Sequence, residues 1–309
     1  MTRKEFHDKF PAEFACRYFW KGMREKTGIV CRKCKKENHY WNHGKNERSS
    51  RNGNAVTIIK SGTVMMHSNL SLMVWFKPIF EVSYRGKSIS TSELYKQLPE
   101  VKSEGSARHL LQNIRRAMGF RDEKYQSEGK AEVDVAFVSE VKEIKNDSKK
   151  SKRGRGAVRK APILSLASYE RTPSGRQKRN RPRNYPLFFK MFQWEDLKKQ
   201  PLNETVFRYG KLTSHVKSFA HRVYSYLNER SEKQTFKTTS AKEGHMEPPC
   251  VHCAIGNVKG WINGIFHHVS EKYLEDYLDE FVYTLNRRNV KRPFDHLLNY
   301  SLVRPCWES

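Results

Sequence analysis

Apolar positions follow two rhythms along this chain. Ala131-Glu132-Val133-Asp134-Val135-Ala136-Phe137-Val138 packs β-branched and aromatic residues into one short run, which predicts a strand. Ala161-Pro162-Ile163-Leu164-Ser165-Leu166-Ala167-Ser168 predicts a second. Elsewhere the spacing is helical. Leu70, Leu72, Val74, Trp75, Phe76, Ile79 and Phe80 form a dense apolar stretch that Pro78 is expected to break. Ser88 to Leu98 offers an N-cap followed by a helix. From Ala107 to Met118, Leu110, Leu111, Ile114 and Met118 share one face, while Arg108, Gln112, Arg115 and Arg116 lie off it. A short helix, a turn and a basic helix make a helix-turn-helix pattern whose second helix suits the major groove. An ordinary helical hairpin has the same pattern. Leu274, Tyr277, Leu278, Phe281 and Leu285 form a last helical stripe, on which Asp279 and Glu280 read as surface acids.

Two acidic residues, Glu132 and Asp134, interrupt the first strand. A carboxylate inside an apolar strand needs a partner or a metal ion, and Asp134 is such a carboxylate. Charge adds a direction. The chain has 59 Lys and Arg against 33 Asp and Glu, a net +26, which favours phosphate backbones. Residues 149–183 hold thirteen Lys or Arg and a single acid, Glu170. Arg153, Arg155 and Arg159 precede the second strand and a further basic run follows it, so two basic loops flanking a strand are expected to grip DNA. A solvated charge run is the plainer alternative. No apolar run approaches a membrane span and no signal peptide is visible, so a cytoplasmic, nucleoid-associated protein is expected.

The six cysteines suggest thiols or metal ligands more than a disulfide framework. Cys31 and Cys34 have half-site zinc spacing, and His39 and His43 follow at distances that could close a tetrahedral site. A lost site with two leftover thiols would leave the same pattern. Cys250 and Cys253, on either side of His252, read as buried free thiols. His267 and His268 are expected to shape a turn or touch a phosphate, and Arg287 and Arg288 to contact phosphates.

Several motifs occur in a specific order. They are Phe14-Ala15-Cys16, Gly28-Ile29-Val30-Cys31 with Cys34, Ser61-Gly62-Thr63-Val64-Met65 and Trp75-Phe76. Glu132-Val133-Asp134, Lys152-Arg153-Gly154-Arg155-Gly156, and His252 with Asn257 come next. Tyr277-Leu278-Asp279-Glu280-Phe281 and Asn286-Arg287-Arg288 complete the series. Through these the chain resembles insertion-sequence transposases of the bacterial family related to the eukaryotic Merlin elements. The resemblance implies an α+β protein. A zinc-ribbon-like module (residues 1–66) and a helix-turn-helix-like region (67–128) would precede an RNase H-like catalytic domain with a mixed sheet flanked by helices (129–309).

The resemblance further implies cleavage and joining of double-stranded DNA at element ends, with homo-oligomers assembled on the DNA. Two Mg²⁺ or Mn²⁺ ions would be held by an Asp, a second Asp, and a Glu or Asn. Asp134 takes the first position and Asn257 the third. At the second stands His215, in Thr213-Ser214-His215, where an Asp is expected; Asp196 is an outside substitute. Imidazole is a poor Mg²⁺ ligand. Two functions therefore follow: a strand-transferring transposase, or a catalytically dead relative that binds DNA as a repressor or host-adopted binder. A ribosomal or RNA-binding protein would explain the charge but not the C-terminal motif.

Overall fold

The computed structural model describes residues 1–27, 39–42, 47–50, 56–84, 88–123, 125, 127–139, 160–171, 184–194, 210–219, 235–239, 250–267 and 269–301. Two compact units emerge. One comprises Met1–Met118 together with Asn289–Ser309, and the other Gly119–Arg288.

In the first unit, α1 (Arg3–Lys9) opens with a capping box: Thr2 Oγ1 accepts from the Glu5 amide at 3.2 Å, and Glu5 Oε2 accepts from the Thr2 amide at 2.8 Å. In α2 (Glu13–Thr27), the Glu13 carboxylate accepts from the amides of Leu72 and Met73 at 3.1 and 2.8 Å. It thereby satisfies the first turn of α3 (Leu72–Ser83). Pro78 does not break α3, contrary to the sequence expectation. A proline inside a helix costs roughly 3 kcal/mol, but this helix buries Leu72, Val74, Trp75, Phe76, Ile79, Phe80 and Val82. That burial outweighs the loss at roughly 1.5–3 kcal/mol per side chain. Phe6, Phe10, Phe76 and Phe80 meet as a ring cluster, closed by Phe294 of α8 (Pro293–Ser301) with centroids 5.6 to 6.2 Å away.

Three short strands, β1 (His39–Asn42), β2 (Glu47–Ser50) and β3 (Val56–Ile58), pair antiparallel in that order. Two helices follow as the apolar spacing expects: α4 (Thr91–Gln97), capped by Ser90 Oγ, and α5 (Glu104–Asp122).

The second unit is built on a five-stranded sheet. Its strands are β4 (Ser127–Ser139), β5 (Lys160–Arg171), β6 (Asn184–Gln193), β7 (Gly210–Phe219) and β8 (Thr235–Thr239). Their spatial order is β6-β5-β4-β7-β8. The β4–β5 and β5–β6 pairs are antiparallel, whereas β4–β7 and β7–β8 are parallel. This mixed sheet, with its first strand in the centre, is consistent with an open RNase H-like arrangement. Alternation along β4 sets Glu132, Asp134, Ala136 and Val138 on one face. Helix α6 (Cys250–Trp261) covers part of that face through Val251, Ala254, Ile255 and Val258, which share a core with Ala136, Val138 and Ile163. Helix α7 (Leu274–Asn286) adds Leu274, Leu278 and Phe281 to this core and packs along β6.

The acids of α7 are not surface acids as expected. Glu280 is buried, and Asp279 lies so close to Gly119 that a Cβ there would stand 1.8 Å from Asp279 Oδ2. Only a glycine leaves that carboxylate its space. No helix among the described residues is long and apolar enough to cross a membrane.

Candidate functional site

Asp134 sits two-thirds of the way along β4, cross-strand from Ser165 of β5. Each oxygen of its carboxylate has one partner. Oδ1 accepts from the Val135 amide at 2.8 Å, and Oδ2 lies 3.0 Å from His252 Nε2. His252 occupies the first turn of α6, the helix laid over this face, so the same packing that closes the core brings the imidazole to the carboxylate. Burial pushes the Asp134 carboxyl above its ordinary value; His252, the Val135 amide and Lys259 pull the other way. Lys259 belongs to the same stripe of α6 as His252, seven residues and roughly two turns along.

Glu132 shares the Asp134 face and is buried. It accepts from the Val251 amide at 3.1 Å, so it satisfies the start of α6, where negative charge also suits the helix dipole. Ser165 is buried too, and its Oγ makes no hydrogen bond with any described group.

The other expected ligands are placed differently. Asn257 is exposed on α6, five residues after His252 and so roughly 140° around the helix from it. His215 lies on β7, where it pairs with Thr235 of β8. The β4–β7 register matches Ala131 with Val216 and Val133 with Ser218. The position level with Asp134 is therefore Phe219, and His215 stands about 13 Å back along the strand. Asp196 lies outside the described residues.

A pair of Mg²⁺ ions asks for several carboxylate or carbonyl oxygens around them. The described side chains here are the Asp134 carboxylate with a partner on each oxygen, the Glu132 carboxylate bonded to the start of α6, an imidazole, a hydroxyl and a nearby ammonium. Among the described residues no group of three His, Cys, Asp or Glu could hold a metal ion. This donor set does not fit two divalent cations. What it can do is hold a proton between Asp134 and His252.

From the sequence, His252 falls in a motif with Asn257 but gains no role beside Asp134. The signal was available: a histidine at the start of an amphipathic helix that must cover the strand bearing a lone Asp. Of its neighbours, Cys250 is buried as expected, and burial raises its thiol to about 11. Cys253 is exposed, not buried.

The basic residues divide. On α5, Arg108 and Arg116 are exposed, but Arg115 is 1% exposed because this helix is covered on more than its apolar stripe; Gln112 and Asn113 are buried with it. Arg287 does not face solvent either. It is buried against Asp122, with Nη2–Oδ1 at 2.6 Å and Nη1–Oδ2 at 3.1 Å. Arg288 is exposed, its Nη1 donating to the Leu285 carbonyl at 3.0 Å. His267 adopts a left-handed φ of 61° at the end of a π-helical turn, which fits a turn-shaping role. Cys31, Cys34, His43, His268, Arg153, Arg155 and Arg159 lie outside the described residues, and His39 is the first residue of β1.

Residues 126–286, more than half of the chain, match the ISXO2-like transposase domain family. The chain belongs to that family of DDE transposase-related domains. No curated protein matches it.

Proposed function

We propose that this member of the ISXO2-like transposase family binds double-stranded DNA without cutting it efficiently, as a repressor or host-adopted binder. One observation carries the reading: both oxygens of the Asp134 carboxylate are engaged, by His252 and by the Val135 amide. The +26 charge supplies the affinity for DNA, since clustered Lys and Arg displace condensed counterions.

Within this proposal the Merlin-related branch is the chain's relative, and residues 129–309 are its RNase H-like domain. Residues 1–66 form a zinc-ribbon-like module with Cys31, Cys34, His39 and His43 as its zinc ligands. Residues 67–128 form a helix-turn-helix-like region. Arg108 and Arg116 face DNA from α5, and Arg153, Arg155, Arg159 and Arg288 contact the backbone. The protein assembles as homo-oligomers on DNA in the cytoplasm. His215 and Asn257 stay the candidates for the second and third ligand positions, although the β4–β7 register does not set His215 level with Asp134.

Family membership supports the second reading, metal-dependent strand cleavage and transfer at element ends. A nicking and strand-transfer assay separates the two. Under the binding reading, the protein retards duplex DNA with a steep salt dependence and leaves it uncut in Mg²⁺. Neutralising Arg153, Arg155 and Arg159 flattens the salt slope. Robust Mg²⁺-dependent cleavage that Asp134→Ala abolishes would establish the enzyme instead.

A further inference from the structure

Helix α2 is fixed by one face and leaves the other open. Cys16 and Trp20 are buried, the Trp20 indole N–H donates to the Ile59 carbonyl at 2.9 Å, and Arg24 Nη2 donates to the Ser61 carbonyl at 2.9 Å. On the opposite face stand Phe14 and Tyr18, 77% and 73% exposed, more than any other large apolar side chain among the described residues. They are four residues apart, so the two rings are neighbours on one stripe. Gly22 continues the stripe at the same spacing, and a Cβ there would find nothing within 4 Å. The stripe is therefore two rings followed by a gap.

Two exposed rings alone do not name a partner, but charge and symmetry do. The cations beside the stripe each lie against an acid of the same helix. Arg17 Nε is 3.0 Å from Glu13 Oε1, and Lys21 Nζ is 3.8 Å from Glu25 Oε1. This stripe is thus charge-balanced in a chain of net +26. Phosphate finds little to hold here, whereas a like-charged copy of the chain meets little repulsion. Phe14 and Gly22 are equally far from Tyr18, each roughly 6 Å along the axis. A two-fold axis beside Tyr18 brings the ring of one copy to the gap of the other, twice, which is the self-complementarity that a symmetric dimer needs.

We propose that the outer face of α2 is a contact between two copies of this chain. The helices run antiparallel, the two Tyr18 rings meet near the axis, and each Phe14 ring covers the partner's Gly22. The inference rests on the homo-oligomer reading above and names its surface. The four rings cover roughly 600 Å², at roughly 150 Å² each. That is below the roughly 1,200 Å² at which stable complexes begin. The dimer is weak in free solution and forms readily where one DNA duplex holds two copies close.

Sedimentation equilibrium of the full chain over a range of protein and salt concentrations tests this. Self-association should strengthen as salt screens two chains of +26 from each other, the opposite of duplex binding. Phe14→Ala should weaken it at least tenfold. Gly22→Gln fills the gap and should do the same. Glutamine suits a helix better than glycine and its Cβ meets open space, so the melting temperature should not fall. Phe14→Ala combined with Gly22→Phe exchanges ring and gap and should restore association. A chain that stays monomeric at every concentration and salt would overturn the proposal, as would an exchange that rescues nothing. Association indifferent to both single substitutions would overturn it too, while leaving the homo-oligomer reading in place. Retention of duplex DNA by all variants keeps each of these failures distinct from failure of DNA binding.

Discussion

Arg287 meets Asp122 in a two-point ion pair, its guanidinium also lying 3.8 Å from the centroid of the Tyr283 ring. Asn286, the preceding residue, donates to the same carboxylate at 3.4 Å and also bonds both the amide and carbonyl of Phe189 at 2.8 and 2.9 Å. The end of α7 is thus fixed to α5 on one side and to β6 on the other. Arg287 has the composition of a phosphate contact and the work of a clamp.

Arg287→Ala should therefore act on stability. Removing one partner of a buried pair strands the other charge and costs roughly 3–5 kcal/mol. Urea denaturation should show that loss, while Arg288→Ala changes stability by less than about 0.5 kcal/mol. If both substitutions weaken DNA binding equally and neither alters stability, the clamp is misassigned.

Burial raises the Asp134 carboxyl, and His252 is the strongest influence pulling it back down. His252→Ala should move the Asp134 carboxyl further above its ordinary value. Carbon-detected titration of the Asp134 side chain reads this directly. An Asp134 titration that does not move would show that the pair is not coupled.

The register of β7 makes a prediction about restoring metal affinity. Phe219→Asp places a second carboxylate level with Asp134, whereas His215→Asp places it farther back along the strand. Combined with His252→Ala, the former should bind Mn²⁺ more tightly in calorimetry and the latter should not. The reverse ranking would mean that the strands pair in another register.

Glu275 carries a pH dependence. Burial raises its carboxyl to about 7, against the Gln193 amide, which donates to Oε2 at 2.6 Å, and against Lys190. The folded state then holds a proton that the unfolded chain releases near the usual glutamate value. Stability from this group is full below about 4.5 and declines as pH rises towards 7. Glu275→Gln should raise the melting temperature at pH 8 and leave it nearly unchanged at pH 4. A gain of equal size at both values would point to packing instead of charge.

The elements were legible where one rhythm dominated. β4 and β5 follow from β-branched runs, α4 from its Ser90 cap, and α7 from its stripe. Pro78 misleads because a local rule cannot weigh the burial of an entire helix. Arg115 and Arg287 mislead because charge in a sequence does not say which acid lies opposite; Asp122 is 165 residues from Arg287. At the site, Asp134 was legible as a carboxylate in an apolar strand. Its partner was not, because the fold of α6 onto the sheet brings His252 to it from 118 positions away. The return of residues after 288 to the first unit left no local trace, since Phe294 reads like any other core aromatic.

Phe294 also imposes an order on synthesis. Phe6, Phe10, Phe76 and Phe80 emerge from the ribosome early, yet the ring that completes their cluster is translated after the whole span of 119–288. Domains usually fold as they emerge, the N-terminal one first. Here the interior unit should close first, while the leading segment waits with its aromatics exposed to chaperones. Released chains truncated after residue 288 should accordingly be cut by protease sooner before residue 118 than within the strands and helices of the interior unit.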